Sequence, residues 1–282
     1  MSSGRGMNAA SPAAALEALL ALMVRLRDPE AGCPWDRAQD YASIAPHTIE
    51  EAYEVADAIA AGEPARVRDE LGDLLFQVVF LAQLGAEAGD FDFAAVAAGL
   101  HDKLVRRHPH VFARATASAP ATGEPELARA WDTHKAQERA AAGEHGALAG
   151  VPLALPALTR AAKLSRRAAR VGFDWPDEGA VRPKIAEELA ETEAAVAQRD
   201  PEAIREEMGD TLFALVSWAR HLGVDPEEAL RGANRKFEQR FAAMEALAAR
   251  RGLVTAQLSL AQWESLWLEV KAARTGRVPD PG

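Results

Sequence analysis

The sequence predicts an all-α protein of two tandem duplicated helical bundles, and three observations carry that expectation. Alanine is abundant and aromatic residues make up only 6% of the chain, so the core must be built from Leu, Val and Ala, a mixture that suits closely packed helices. Apolar residues recur at helical spacing: Leu71, Leu74, Leu75, Val78, Val79 and Ala82 form one buried stripe, and Leu212, Leu215, Val216 and Ala219 form another. The third observation is an internal repeat. Glu51, Glu54, Glu70 and Asp73 are matched 137 positions later, without a gap, by Glu188, Glu191, Glu207 and Asp210.

The repeat extends beyond the carboxylates. LGDLLFQVVFLAQL (71–84) pairs with MGDTLFALVSWARHL (208–222), HDKLVRRH (101–108) with NRKFEQRF (234–241), and WDTHK (131–135) with WLEVK (267–271). The first 13 or so residues are small and polar and are expected to fray. Residues 115–126 have the composition of a loop, and 141–156 that of a linker, which divides the chain into bundles at 14–140 and 157–275. Within each bundle a short turn, AAGEPA (60–65) or QRDPEA (198–203), places a proline just inside the next helix, where its missing N–H costs nothing. Each turn therefore closes a helical hairpin. Gly62 is midway between Glu54 and Glu70, and Arg199 midway between Glu191 and Glu207, so the carboxylates on the two arms of each hairpin lie level.

Composition excludes several functions. The chain has 282 residues, 49% hydrophobic and 26% charged, as in an ordinary globular protein. Its net charge is −10, from 32 Lys and Arg against 42 Asp and Glu, which disfavours stable nucleic-acid binding because that requires a basic footprint. The single cysteine, Cys33, allows neither an internal disulfide framework nor a cysteine-based zinc site. No secretory signal and no apolar run long enough to span a bilayer is evident, so the protein is expected in the cytoplasm, without a membrane partner.

The carboxylates carry the chemistry. Residues three apart on a helix share a face, so Glu188 with Glu191 and Glu207 with Asp210 form two pairs, and Glu51 with Glu54 and Glu70 with Asp73 form the equivalent pairs in the first half. Surface helices are rich in Glu, and one Glu-x-x-Glu is commonly a solvated face. Given the acidic fraction of this chain, however, four carboxylates at fixed positions arise by chance about 0.0005 times per starting position. The ancestor of the repeat therefore carried the pattern. Carboxylates facing each other across a hairpin repel unless a cation shares them, and oxygen ligands suit a hard ion, Mg²⁺ or Mn²⁺. A ferritin-like di-iron bundle would need Glu-x-x-His pairs. None of the seven histidines has Glu three residues before it.

This carboxylate pattern, together with CPWD (33–36), RRHPHVF (106–112), GFDWP (172–176) and ANRKFEQRF (233–241), resembles the MazG family of nucleoside triphosphate pyrophosphohydrolases over about residues 16–275. The resemblance implies two MazG-like all-α domains, an intertwined homodimer and Mg²⁺ dependence. The implied reaction is hydrolysis of NTPs and dNTPs between the α and β phosphates to the monophosphate and pyrophosphate, with broad base tolerance, in nucleotide-pool housecleaning. Lys236 and Arg240, four apart on one helix, are the expected phosphate partners, with Asn234 as a polar contact. Lys184, one turn before Glu188, is a further basic contact, and Trp267 either stacks on the base or packs in the core. The first half offers Lys103 and Arg107 for the phosphates but has His101 in place of Asn234, so the resemblance favours the second half as the main catalytic site.

Other residues have structural readings. His108 and His110 are expected to cap a helix end, Cys33 to be a buried thiol, and Trp35 and Trp175 to anchor the loops entering the hairpins. Two other functions fit the same motifs: a nucleotide-sensing or partner-binding module that does not turn over, and an enzyme narrowed to one nucleotide such as dUTP or an alarmone.

Overall fold

A computed structural model of the chain describes residues 11–112 and 146–275, with Glu138 and Gly143 between them. Among the described residues there are helices and turns but no strand. The chain divides into two compact units, residues 1–134 and 135–282. The expected WDTHK segment lies outside the described residues.

The first unit runs α1 (Pro12–Leu26), α2 (Pro34–Arg37), α3 (Tyr41–Ala61), α4 (Pro64–Ala88), α5 (Phe93–Arg107) and α6 (Pro109–Phe112). Helix α3 begins at a capping box: the Asp40 carboxylate accepts from the Ser43 backbone N–H, and the Ser43 hydroxyl oxygen accepts from that of Asp40. It ends at Gly62 in the left-handed conformation, and α4 opens with Pro64 in its first turn. Helices α3 and α4 make the main packing contact of the unit. Met23, Ile44, Val79, Phe80 and Leu84 form its buried core.

The second unit repeats this plan with α7 (Ala157–Arg170), α8 (Glu178–Gln198), α9 (Pro201–His221), α10 (Pro226–Arg250), a 3₁₀ turn (Thr255–Gln257) and α11 (Leu260–Thr275). Asp177 caps α8, Pro201 opens α9, and Pro183 interrupts α8 at the place where Pro46 interrupts α3. Met244, Ala248, Leu266 and Val270 form a buried cluster where α10 meets α11. The expected linker packs at its end: the Arg167 guanidinium donates to the carbonyls of Ala149 and Gly150, and Val151 is buried.

Three local expectations need correction. The apolar stripe is split: Val79, Ala82 and Val216 are buried, whereas Leu71, Leu75, Val78, Leu212 and Leu215 are exposed. The reason lies in the register, because Glu70, Gln77, Phe80 and Leu84 occupy the less exposed line of α4 and turn that apolar row outward. Trp35 is 52% exposed; the loop at α2 is held instead by Arg27, which donates to the Asp36 and Gln39 carbonyls and pairs with Glu87 at 2.7 Å. Cys33 is half-buried rather than buried. His108 does terminate α5, its Nδ1 lying 2.7 Å from the Leu104 carbonyl, and the His110 side chain lies outside the described residues.

Helix α4 is, by length and composition, apolar enough to cross a membrane, which the sequence expectation of no such run did not allow for. It begins with charged residues that include Glu70 and Asp73, and it packs on α1, α3 and α5.

The two hairpin turns differ at one residue. Arg199 occupies the left-handed cap that Gly62 fills in the first unit, at φ 57° against 72°. A side chain there costs about 1–2 kcal/mol relative to glycine. Arg199→Gly is therefore expected to stabilise the second unit by about 0.5–1 kcal/mol, after the greater unfolded-state freedom of glycine is subtracted, as read by urea unfolding.

Candidate metal and nucleotide site

Each hairpin brings three carboxylates together. In the second unit Glu188 on α8 and Glu207 and Asp210 on α9 each offer one oxygen, all within 4.8 Å of one another; in the first, Glu51, Glu70 and Asp73 do the same. Glu188 is buried, Glu51, Glu70 and Glu207 are half-buried, and Asp73 and Asp210 are exposed, so each cluster opens from the helix interface toward solvent. The hairpin geometry explains the convergence, because residues equally far from the turn come level. Glu54 and Glu191, the fourth carboxylate of each expected set, are exposed and stand outside the three-membered groups. Glu191 is nevertheless the strongest charged neighbour of Glu207.

The electrostatics follow from the crowding. Burial, and then the charges of Glu191, Glu188 and Asp210, push the Glu207 carboxyl above its ordinary pKa. Burial, and then Asp73, Glu54, Glu50 and Glu70, do the same to Glu51. A carboxyl whose folded pKa is raised contributes stability below its unfolded pKa and loses it as pH rises through the folded value. Without metal, the stability contributed by these two groups is thus expected to fall as pH rises from the ordinary carboxylate range, and metal should bind more weakly as pH falls through it. Thermal unfolding from pH 4 to 7, with and without Mg²⁺, reads both trends.

The two clusters are neutralised from opposite arms. In the second unit Lys184 on α8 lies 2.7 Å from Glu188 and 2.9 Å from Glu187, and the hydrogen bonds to these carboxylates raise its pKa. In the first unit Arg66 on α4 lies 3.1 Å from Glu70. The residue 137 positions before Lys184 is His47, which pairs with Glu50 at 3.6 Å, and the residue 137 after Arg66 is Ala203. Lys184 therefore stands on the carboxylate cluster. Behind it, the Thr192 hydroxyl donates to the Glu188 carbonyl and lies 3.2 Å from the Thr211 hydroxyl, tying α8 to α9 beside the cluster.

Among the expected phosphate and base contacts, Arg240 and Trp267 come together, the guanidinium carbon 5.2 Å from the ring centroid. Phe237 and Trp267 are 6.1 Å apart and Phe241 stacks on Trp263 at 5.3 Å, so Trp267 belongs to an aromatic wall on α10 and α11. The Arg240 Nε is buried without a hydrogen-bond partner. Asn234 and Lys236 are exposed. Among the described residues, no hydrogen bond or ion pair joins Asn234, Lys236 or Arg240 to the carboxylates. In the first unit Lys103 is exposed and Arg107 half-buried on α5. Sequence reasoning missed Arg66 and a polar group at the end of α9, where Arg220 and His221 both meet Asp174. The signal for Arg66 was its place one helical turn before Glu70, whereas the Asp174 group spans 46 and 47 residues and had none.

Paired helical hairpins, each converging three carboxylates on one point, define an all-α protein whose donor atoms fit a hard divalent cation. The chain belongs to the MazG nucleotide pyrophosphohydrolase family, whose domain matches residues 39–112 and again 177–243. It is 50% identical over 258 residues to the nucleoside triphosphate pyrophosphohydrolase of Escherichia coli (strain K12), covering 91% of this chain and 97% of that protein. It is 41% identical over 255 residues to the nucleoside triphosphate pyrophosphohydrolase/pyrophosphatase MazG of Thermotoga maritima, covering 90% and 95%. A Mycolicibacterium smegmatis nucleoside triphosphate pyrophosphohydrolase is 31% identical over 220 residues.

Proposed function

We propose that the chain is a nucleoside triphosphate pyrophosphohydrolase that cleaves NTPs and dNTPs between the α and β phosphates, and that its second unit carries the reaction. The observation that supports this most is the cluster of Glu188, Glu207 and Asp210 with Lys184 already seated on it. Mg²⁺, or Mn²⁺ in its place, is the cofactor this donor set suits. Such an ion neutralises the triphosphate and lowers the pKa of a water that it binds.

The residues of the chain do the rest. Glu188, Glu207 and Asp210 would hold the cation, and Glu191, a charged neighbour of Glu207 outside the three-membered group, would orient the attacking water and accept its proton. Lys184, bonded to Glu188, would be free to meet a phosphate oxygen where a cation held that carboxylate. Lys236 and Arg240 meet the remaining phosphate charge, with Asn234 as a polar contact, and Trp267 holds the Arg240 plane in place. The first unit, with Glu51, Glu54, Glu70 and Asp73 and the basic Lys103 and Arg107, is a second metal-binding body that supports the assembly. The exposed row Leu71, Leu75, Val78 and its counterpart Leu212, Leu215 support a homodimer. A cytoplasmic, membrane-free enzyme of nucleotide-pool housecleaning, with broad base tolerance, is the role this reading gives.

Product analysis tests it. The protein with Mg²⁺ and each of the eight common NTPs and dNTPs is expected to give pyrophosphate and the monophosphate in equal amounts, and EDTA should stop the reaction. Release of inorganic phosphate and diphosphate instead would exclude attack at the α phosphorus, and no product from any of them would favour a sensing module.

A further inference from the structure

Two buried hydroxyls join the arms of the second hairpin next to its carboxylates. Thr192 follows Glu188 by one turn of α8 and Thr211 follows Asp210 directly on α9, and they are 8% and 5% exposed. The Thr192 hydroxyl gives its one proton to the Glu188 carbonyl at 2.9 Å, so the proton in the 3.2 Å contact between the two hydroxyls comes from Thr211. The hydrogen bonds therefore run from α9 to α8 and end on the backbone of a cluster residue.

The first hairpin lacks this link. The gap-free repeat that pairs the carboxylates also pairs Thr192 with Val55 and Thr211 with Leu74, both half-buried and apolar. Threonine in place of valine is not a neutral swap in an interior, because its hydroxyl must find a partner. Once paired, such a bond contributes only about 0.5–1.5 kcal/mol net, no more than the packing it replaces. What the pair adds is direction. An apolar contact tolerates sliding and rotation of one helix against the other, whereas a hydrogen bond weakens steeply with distance and angle.

Its position decides what is directed. Glu188 comes from α8 and Glu207 and Asp210 from α9, so a cation held by all three spans the two arms, and their separation sets the size of the cage. Mg²⁺ demands near-ideal octahedral geometry at about 2.0–2.1 Å, while Ca²⁺ accepts irregular geometry at about 2.3–2.6 Å. We infer that Thr192 and Thr211 are positioning residues that fix the spacing of the two arms and so make the second cluster select Mg²⁺ over Ca²⁺. The inference rests on the metal-dependent reading of that cluster and adds to it a determinant outside the carboxylates. Glu188 is buried where Glu51 is half-buried, which accords with a hairpin held closed at this level.

The test uses the full chain carrying Asp73→Asn, which removes a carboxylate from the first cluster so that added cations report on the second. Melting temperature is followed against Mg²⁺ and, separately, Ca²⁺, without nucleotide, to give the half-saturating concentration of each. Thr192→Val combined with Thr211→Val removes both hydroxyls at nearly constant shape, so the metal-free protein should melt within a few degrees of the parent. Its half-saturating Mg²⁺ concentration should rise about tenfold, as for other groups that hold a metal ligand without touching the metal, and that of Ca²⁺ should stay within about threefold. Thr192→Ser keeps the hydroxyl and should leave the Mg²⁺ to Ca²⁺ ratio within about twofold of the parent. An unchanged ratio in the double valine variant, or the same loss in Thr192→Ser, would overturn the inference. So would a valine variant that melts far below the parent without metal, since the pair would then serve folding alone. In each of these cases Mg²⁺ binding and pyrophosphate release by the parent leave the pyrophosphohydrolase reading standing, whereas a parent that neither cation stabilises would sink the metal reading and the inference together.

Discussion

Glu188→Gln is expected to lower turnover of nucleoside triphosphates by roughly 10²–10⁴-fold, the worth of several kcal/mol of metal-supplied charge stabilisation. Glu188 is 5% exposed and is the cluster member contributed by α8. The amide keeps the shape and one acceptor oxygen but removes the charge that holds both Lys184 and a cation. Two further readouts separate lost chemistry from lost folding. Mg²⁺ should raise the melting temperature of the parent in proportion to its occupancy, and this shift should shrink in the variant. Without metal the variant should melt within a few degrees of the parent, because relief of the repulsion among three carboxylates is offset by loss of the Lys184 pair.

Phe80→Ala is expected to destabilise the first unit by about 3–5 kcal/mol, the largest stability effect of any single truncation proposed for this chain. Phe80 is fully buried, meets Phe76 edge-on at 5.8 Å, and lies beneath the Arg27 guanidinium at 5.2 Å. Arg27 is the same side chain that pairs with Glu87 and holds the loop before α3. Truncation therefore leaves a cavity and also removes the ring beneath the arginine that secures the entry to the metal hairpin. Urea unfolding followed by circular dichroism should show an early transition for the first unit, with the second unit unchanged. Loss of less than about 1 kcal/mol would mean that the core closes around the gap.

The hairpins were legible in the sequence because their signals are local and repeated. Pro64 and Pro201 mark helix starts, Gly62 marks a left-handed stop, and carboxylates at three-residue spacing fall on one face by geometry alone. The convergence of Glu188, Glu207 and Asp210 followed from the level register about Arg199. The rest depended on rotamer and tertiary context. Periodicity says which residues share a face, but not which face meets a neighbour in the same unit, so Leu71 and Leu75 read as core and stand exposed. Glu54 and Glu191 share the helical face of Glu51 and Glu188 but are one turn nearer the hairpin end, and that turn leaves them outside the three-oxygen groups. Lys184 reads in the sequence as a substrate contact, and its bond to Glu188, which ties it to the carboxylate cluster, depends on rotamers that no sequence pattern shows. The wiring of Asp174 to Arg220 and His221 spans 46 and 47 residues, a separation across which no sequence period carries information.

The repeat itself poses the sharpest question, since both units keep all four carboxylates and differ in what surrounds them. Arg66 stands over one cluster and Lys184 over the other. The measurement that decides between the units is pyrophosphate release with Mg²⁺ by the parent, by Asp210→Asn and by Asp73→Asn, at saturating nucleotide and with melting curves recorded for each. Catalysis in the second unit predicts release reduced by at least about 100-fold in Asp210→Asn and within about twofold of the parent in Asp73→Asn. Loss of pyrophosphate only in Asp73→Asn, or undiminished release from both variants, would contradict it.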